Sequence, residues 1–186
     1  MFKKFILFII IIAFLGINAL AISQDRPKGW HVAVELEGGG LILVNFDYAK
    51  WSKVSRNDVI LAKIRFQYDA KSNSEIRDII VENINLINSL RKPTYPHRFK
   101  AGSGETTIYI NRTDWSIKYS DIEIIFDPQN LRYVFIKEEI INTKNQIVQT
   151  TKYYDGILAI DENSDWRFMT SNQGLKTAME YLQGYL

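Results

Sequence analysis

The clearest pattern in the chain is an alternation of apolar and polar residues between positions 60 and 69. Apart from Leu61, the apolar side chains occupy every second position: Ile60, Ala62, Ile64, Phe66 and Tyr68. A repeat of two is the period of a β-strand, because successive side chains point to opposite faces of a sheet. The pattern therefore predicts a strand in a sheet with one face in the core and one in water.

Shorter apolar runs bounded by turn residues predict the rest of the sheet. Residues 30–36 and 41–46 flank Glu37-Gly38-Gly39-Gly40, whose glycines tolerate the positive φ angles of a tight hairpin. Further strands are predicted over residues 106–111, 114–119, 122–126, 132–141, 146–154 and 157–160. Residues 127–130 and 142–145 are rich in Asp, Asn and Pro, which favours turns between these strands.

Two stretches carry apolar residues at helical spacing. Ser72 precedes Glu75 by three residues, which predicts a capping box, and Pro93 ends the following run. Its apolar positions are Ile76, Ile79, Ile80, Ile84, Ile87 and Leu90. A second helix is predicted over residues 173–183, with four residues directed inward: Leu175, Ala178, Met179 and Leu182. Both stripes indicate packing against the sheet, so the predicted class is α+β: an antiparallel β-sheet with one long helix inserted mid-chain and a short C-terminal helix.

Residues 1–21 have the three parts of a secretory signal peptide. Lys3 and Lys4 precede an apolar run over residues 5–15, and Ala19-Leu20-Ala21 supplies the small residues that signal peptidase accepts. The alternative is an uncleaved anchor, but Gly16 and Asn18 interrupt the apolar stretch. We therefore expect cleavage after Ala21 and a single exported α+β domain over residues 22–186, in the periplasm or at the cell surface.

Composition excludes several classes of protein. The 186 residues include no cysteine, which excludes a disulfide scaffold, a thiolate zinc site and a thiol nucleophile. The chain has 23 basic and 21 acidic side chains, and the leader carries two lysines and no acid. The remaining body is electrically balanced, so it has no general attraction for nucleic acid or anionic lipid. We expect no nucleic-acid partner and no membrane span after cleavage.

No catalytic, cofactor or metal signature stands out. His31 and His97 are far apart in sequence and have no spaced carboxylates, which is weak evidence for zinc. Asp161, Asn163 and Asp165 match the opening of a calcium loop, but Trp166 and Asn172 replace its glycine and glutamate, so an acidic turn is the better interpretation. Gly102-Ser103-Gly104 lacks the rest of a phosphate loop and is interpreted as a flexible connection. A carboxylate-based hydrolase using Asp155, Asp161 or Asp165 remains an open alternative.

One segment concentrates positive charge and aromatic rings. Residues 91–100 read Arg-Lys-Pro-Thr-Tyr-Pro-His-Arg-Phe-Lys, with four formal cations and two prolines in ten residues. Guanidinium groups and ring faces suit an acidic or sugar-bearing ligand. The possible ligand-contact loop therefore comprises Arg91, Lys92, Tyr95, His97, Arg98, Phe99 and Lys100; a solvated loop after the helix is the alternative.

A series of short segments follows the same order as in a known family. They are Trp30, residues 45–47, 51–58, 59–68, 124–127, 131–135, 142–146, 148–154, 165–168 and 181–186. In this order of aromatics and turns the chain resembles the bacterial surface-adhesin protein E family, most closely over residues 122–186. The typical family cysteines are replaced by Pro128 and Leu186, and residues 71–104 look like an insertion.

The resemblance implies an exported, antiparallel sheet protein with a carboxyl-terminal helix, whose relatives bind host matrix components. We accordingly predict a non-enzymatic envelope protein that binds a host matrix or envelope protein, or a glycan, by surface contact. The alternative is a periplasmic inhibitor or immunity-type protein that blocks an enzyme, which small size, export and basic or glycine-containing loops would suit. No binding residue is carried over from the family, and the ligand and oligomeric state stay open.

Overall fold

The computed structural model describes residues 29–186, so the signal peptide predicted over residues 1–21 lies outside the described residues. Residues 31–186 form one compact unit. The described strands are β1 (Trp30–Glu35), β2 (Leu41–Asn45), β3 (Lys50–Val54), β4 (Asn57–Gln67), β5 (His97–Ala101), β6 (Gly104–Ile108), β7 (Ile117–Asp127), β8 (Arg132–Asn142), β9 (Ile147–Lys152) and β10 (Arg167–Phe168). Two helices accompany them, α1 (Ala70–Asn88) between β4 and β5, and α2 (Gln173–Tyr185) after β10.

The strands form a mostly antiparallel sheet with the order β1-β2-β4-β7-β8-β9-β6-β5. Its centre is the run β4-β7-β8, in which each strand has 11 residues. The neighbours of this centre are shorter: β2 and β3 share one side of β4, and β9 and β10 share one side of β8. This architecture confirms the α+β class with a long mid-chain helix and a short terminal one.

Both helices cover the same face of the sheet. The even-numbered residues of β4 pack with Leu175, Met179 and Leu182 of α2. Tyr68 continues the same alternation beyond β4 and packs with the buried isoleucines of α1. On the opposite face, one half is apolar and is covered by the segment between β9 and β10, through Tyr154, Ile157 and Trp166. The other half carries ion pairs such as Arg65–Asp121, at 2.6 Å, and faces water.

The alternation predicted for residues 60–68 is confirmed by β4, and the hairpin at Glu37–Gly40 joins β1 to β2. Residues 114–119 and 122–126, predicted as two strands, instead form the single strand β7, which begins at Ile117. The strand predicted over residues 157–160 is wrong, since Ile157–Ala159 is a 3₁₀ turn.

The predicted capping box at Ser72 is also wrong. The helix is capped by Asp69, whose carboxylate accepts the Ser72 backbone N–H at 2.8 Å. Asp and Ser are both good capping residues, and only the entry direction of the chain from β4 selects Asp69. At the other end, α1 stops at Asn88, before Pro93.

The apolar stripe predicted for α1 is only partly buried. Ile80, Ile84 and Ile87 enter the core, whereas Ile79 and Leu90 are exposed, and so is Leu86. At about 100° per residue, Ile79 and Leu86 lie within about 20° of one another. Leu90 follows two residues after the end of α1, where its backbone N–H donates to the Ile87 carbonyl at 3.0 Å. Together these residues form a second stripe, turned by about 100° from the buried one. A sheet touches only one side of a helix, so the second stripe stays outside the core.

Within residues 29–186, no helix is both long enough and apolar enough to cross a membrane.

Candidate functional site

The structure divides the basic segment between the end of α1 and an edge strand. Arg91 and Lys92 lie exposed in the turn that follows α1. Tyr95 returns the chain towards the helix, where its hydroxyl donates to the Asn88 side-chain oxygen at 3.1 Å. The rest of the segment is β5, so the interpretation of residues 97–100 as loop was wrong.

Strand alternation separates the remaining candidates onto two faces. His97 and Phe99 point to the helix-covered face, where they line a groove with α1. Arg98 and Lys100 are exposed on the opposite face, in register with Thr107 and Glu105 of β6. The seven predicted residues are therefore neighbours in space, but they do not converge on one small ligand.

A groove with a largely apolar lining lies between α1 and β5. Its volume is about 210 Å³ and its lining residues are Asn83, Leu86, Ile87, Leu90, His97 and Phe99. Leu86 and Leu90 belong to the exposed stripe of α1, so this stripe lies on the flank of the helix that faces β5. The groove is partly open to solvent rather than closed around a cavity.

We call the exposed stripe of α1, the groove and β5 the α1–β5 surface. Leu86 is 67% exposed and Ile79 is 61% exposed, two turns apart on the same flank of α1. Sequence reasoning missed Leu86, although its spacing of seven residues from Ile79 and four from Leu90 is a helical signal. Without the sheet position, this second stripe could not be told from the core stripe.

The neighbouring hairpin turn is ordered by backbone geometry. Gly102, interpreted from the sequence as part of a flexible connection, has a φ of +62° and starts a two-residue turn between Ala101 and Gly104. Gly104 lies so close to β9 that a Cβ atom there would come within 2.9 Å of Thr151 Cγ2. The turn therefore fixes the position of β5 against β6 and β9.

The two histidines and the acidic turn do not form a metal site. His31 is in β1 and packs on Phe46 at a ring-centroid distance of 4.4 Å. His97 is in β5, at the other end of the strand order. Asp161 accepts the backbone N–H of Asn163 at 2.9 Å, which is the acidic turn that the sequence predicts. No group of three potential metal-ligating side chains occurs within residues 29–186.

A half-buried carboxylate lies elsewhere on the helix-covered face. Glu138 is in register with Ile122, which packs in the core with α2. Burial raises the pKa of Glu138, against the opposing effects of the Ser120 hydroxyl and Arg167. Ser120 Oγ has no hydrogen-bond partner of good geometry. It nevertheless lies close enough to the Glu138 carboxylate to oppose the rise in its pKa. Burial also raises the pKa of the nearby Tyr68, to about 12.

Glu138→Gln should remove a pH dependence of stability. A raised pKa in the folded state means that folding takes up a proton, so wild-type stability falls as pH rises from the ordinary glutamate pKa to the raised one. The variant should lack this decline and exceed the wild type in melting temperature at neutral pH. Glu139→Gln is the matched control, since Glu139 is on the opposite face beside Lys137 and the variant retains Glu138. Identical pH profiles for the wild type and Glu138→Gln would contradict the prediction.

We compared the chain with protein-family models, curated proteins and solved structures. None of them matches. The resemblance to the surface-adhesin protein E family therefore remains a hypothesis based on the order of aromatic and turn segments.

Proposed function

We propose that the chain is an exported, non-enzymatic binding protein of the bacterial envelope, similar in role to a surface adhesin. It holds a host matrix or envelope protein on the α1–β5 surface. Export is inferred from the pattern of residues 1–21, and the partner class from that location and from the family resemblance.

The observation that carries the proposal is the exposed apolar stripe of α1 beside the open groove. Burying a large aliphatic side chain contributes about 1.5–3 kcal/mol. Ile79, Leu86 and Leu90 forgo this gain in the isolated chain, and the groove continues their apolar surface to Phe99. The apolar groove with the exposed Leu86 and Leu90 on its wall, and with cations at its border, suits a protein partner that buries apolar side chains there. Arg91 and Lys92 supply the border at the end of the helix.

A double variant tests the role of this surface. Leu86→Glu with Leu90→Glu should weaken binding to a matrix or envelope protein at least tenfold, because a partner would then have to remove two carboxylates from water in place of two apolar side chains. Binding is measured by surface plasmon resonance against a panel of purified matrix proteins and solubilised envelope proteins. The protein is purified after expression of the full chain.

The control variant is Leu158→Glu, which replaces a leucine that is 99% exposed on the 3₁₀ turn. It should bind the same partner as tightly as the wild type. The proposal is wrong if no panel member binds saturably, or if Leu158→Glu and the double variant behave alike. Amino-terminal sequencing of the envelope fraction tests export: we expect Ile22 as the first residue, and an intact Met1 on cytosolic protein would contradict it.

A further inference from the structure

The outer edge of β5 is a free sheet edge. In the strand order β5 is last, and β6 is its only partner among the described strands. Its five residues contain no proline and no bulge, which are common means of blocking an edge. An edge of this kind offers backbone donors and acceptors to another extended chain.

The turn between β5 and β6 determines which backbone groups face outward. Ala101 and Gly104 flank a two-residue turn, and such a flanking pair is hydrogen-bonded in both directions. Hydrogen-bonded and non-hydrogen-bonded pairs then alternate along an antiparallel ladder. Lys100 and Arg98, two positions apart, belong to the non-hydrogen-bonded pairs. Their N–H and C=O groups therefore point away from β6, to the free edge.

On the helix-covered face, a strand added to β5 would meet an apolar wall. Neighbouring strands are about 4.8 Å apart, so the next strand would lie directly beyond Phe99 and His97. The exposed stripe of α1 lies on the same side, with Leu86 and Leu90 on the wall of the groove. Apolar side chains of the added strand would be buried between α1 and the sheet.

On the opposite face, the same strand would meet two cations. Arg98 and Lys100 are both exposed there, and Arg98 forms an ion pair with Glu105 at 3.7 Å. Cationic residues on an edge strand disfavour pairing with neutral or basic strands. For an acidic strand they have the reverse effect, because opposite charges on neighbouring strands stabilise the pair. The edge therefore selects its partner by charge.

Resting on the proposed function, we infer that the α1–β5 surface binds its protein partner through an extended segment that adds to β5 as a further strand. Apolar residues at alternate positions of the segment enter the groove beside α1. The acidic residues between them meet Arg98 and Lys100. The partner is thus recognised by an alternating acidic and apolar sequence, with backbone hydrogen bonds supplying part of the affinity.

A set of synthetic peptides tests the inference. The probe is Glu-Val-Glu-Leu-Glu-Val-Glu, capped at both ends and labelled for fluorescence anisotropy. One control peptide has the same composition arranged in blocks, Val-Leu-Val-Glu-Glu-Glu-Glu. Two further controls are the probe with N-methyl groups on its odd-numbered residues and the probe with N-methyl groups on its even-numbered residues. We expect saturable binding of the probe, and binding at least tenfold weaker for the block peptide and for one N-methylated register.

A pair of protein variants separates charge from backbone pairing. Lys100→Ala removes only the cation and should lower the affinity for the probe several-fold, and this loss of affinity should be smaller at high salt. Lys100→Pro removes the same cation and also the outward N–H, so it should bind at least tenfold more weakly than Lys100→Ala. Proline is compatible with an edge strand when its nitrogen faces solvent. Matching circular dichroism spectra and melting temperatures verify that both variants fold.

Equal affinity for the probe and the block peptide overturns the inference, and so does equal affinity of Lys100→Pro and Lys100→Ala. Two other occupants of the edge would also overturn it. One is a second copy of this chain, seen as concentration-dependent association in sedimentation that Lys100→Pro abolishes. The other is a lipid surface, seen as binding to phosphatidylglycerol vesicles that Lys100→Ala weakens, without saturable binding of the probe. If the double variant of Leu86 and Leu90 loses binding to a panel protein but Lys100→Pro keeps it, the proposed function holds and strand addition fails.

Discussion

Asp127→Ala should lower the free energy of unfolding by about 3 kcal/mol, near the lower end of the cost of breaking a buried ion pair. The Asp127 side chain is 0% exposed, and its Oδ2 accepts from Arg132 Nε and Asn130 Nδ2, both at 2.8 Å. Alanine removes this acceptor, so that both donors lose their partner inside the fold. The cost stays at the lower end because Arg132 keeps a second carboxylate, Glu162, at 2.7 Å.

The measurement is urea denaturation followed by tryptophan fluorescence. Glu162→Gln is the control, because Glu162 is half exposed and contacts the same guanidinium. It should cost about 1 kcal/mol or less, as for other exposed pairs. Asp127 also ends β7, and Arg132, which begins β8, packs on Trp166 at 4.3 Å. An Asp127→Ala variant as stable as Glu162→Gln would show that this cluster does not hold the β7–β8 turn to the covering segment.

Ile84→Ala should lower the free energy of unfolding by about 2–5 kcal/mol, because it opens a cavity between α1 and the sheet. Ile84 is 0% exposed and packs in the cluster that includes Trp115, Ile117 and Ile140. Leu86→Ala, two residues along the same helix, should change stability by about 0.5 kcal/mol or less, since that side chain already faces water. Similar losses for the two variants would mean that α1 buries both stripes.

The pair of substitutions also marks a limit of sequence reasoning about α1. Spacing alone indicated six inward positions, and three of them are buried. Ile79 and Leu90 satisfy a helical repeat as well as Ile80 and Ile84 do. Which stripe is covered depends on how the helix is rotated on the sheet, and this rotation is set by contacts with β6, β7, β8 and β9, remote in sequence.

The candidate site shows the same division. Residues 91–100 were recognised as basic and aromatic, and all seven candidates lie on or beside the α1–β5 surface. Their separation onto two faces could not be predicted, because a strand was not expected at residues 97–101. Prolines at 93 and 96 and the glycines at 102 and 104 favoured a loop. The strand forms because β6, already paired with β9, supplies a neighbour for it.

The sequence by itself determined the α+β class and the positions of most strands and of both helices. These features depend on local periodicity and turn chemistry, which neighbouring residues express without a tertiary context. Only the tertiary structure decided the strand order, the common face of the two helices and the open edge at β5. Those features arise from contacts between residues far apart along the chain, and their energies are not written in any short stretch of residues.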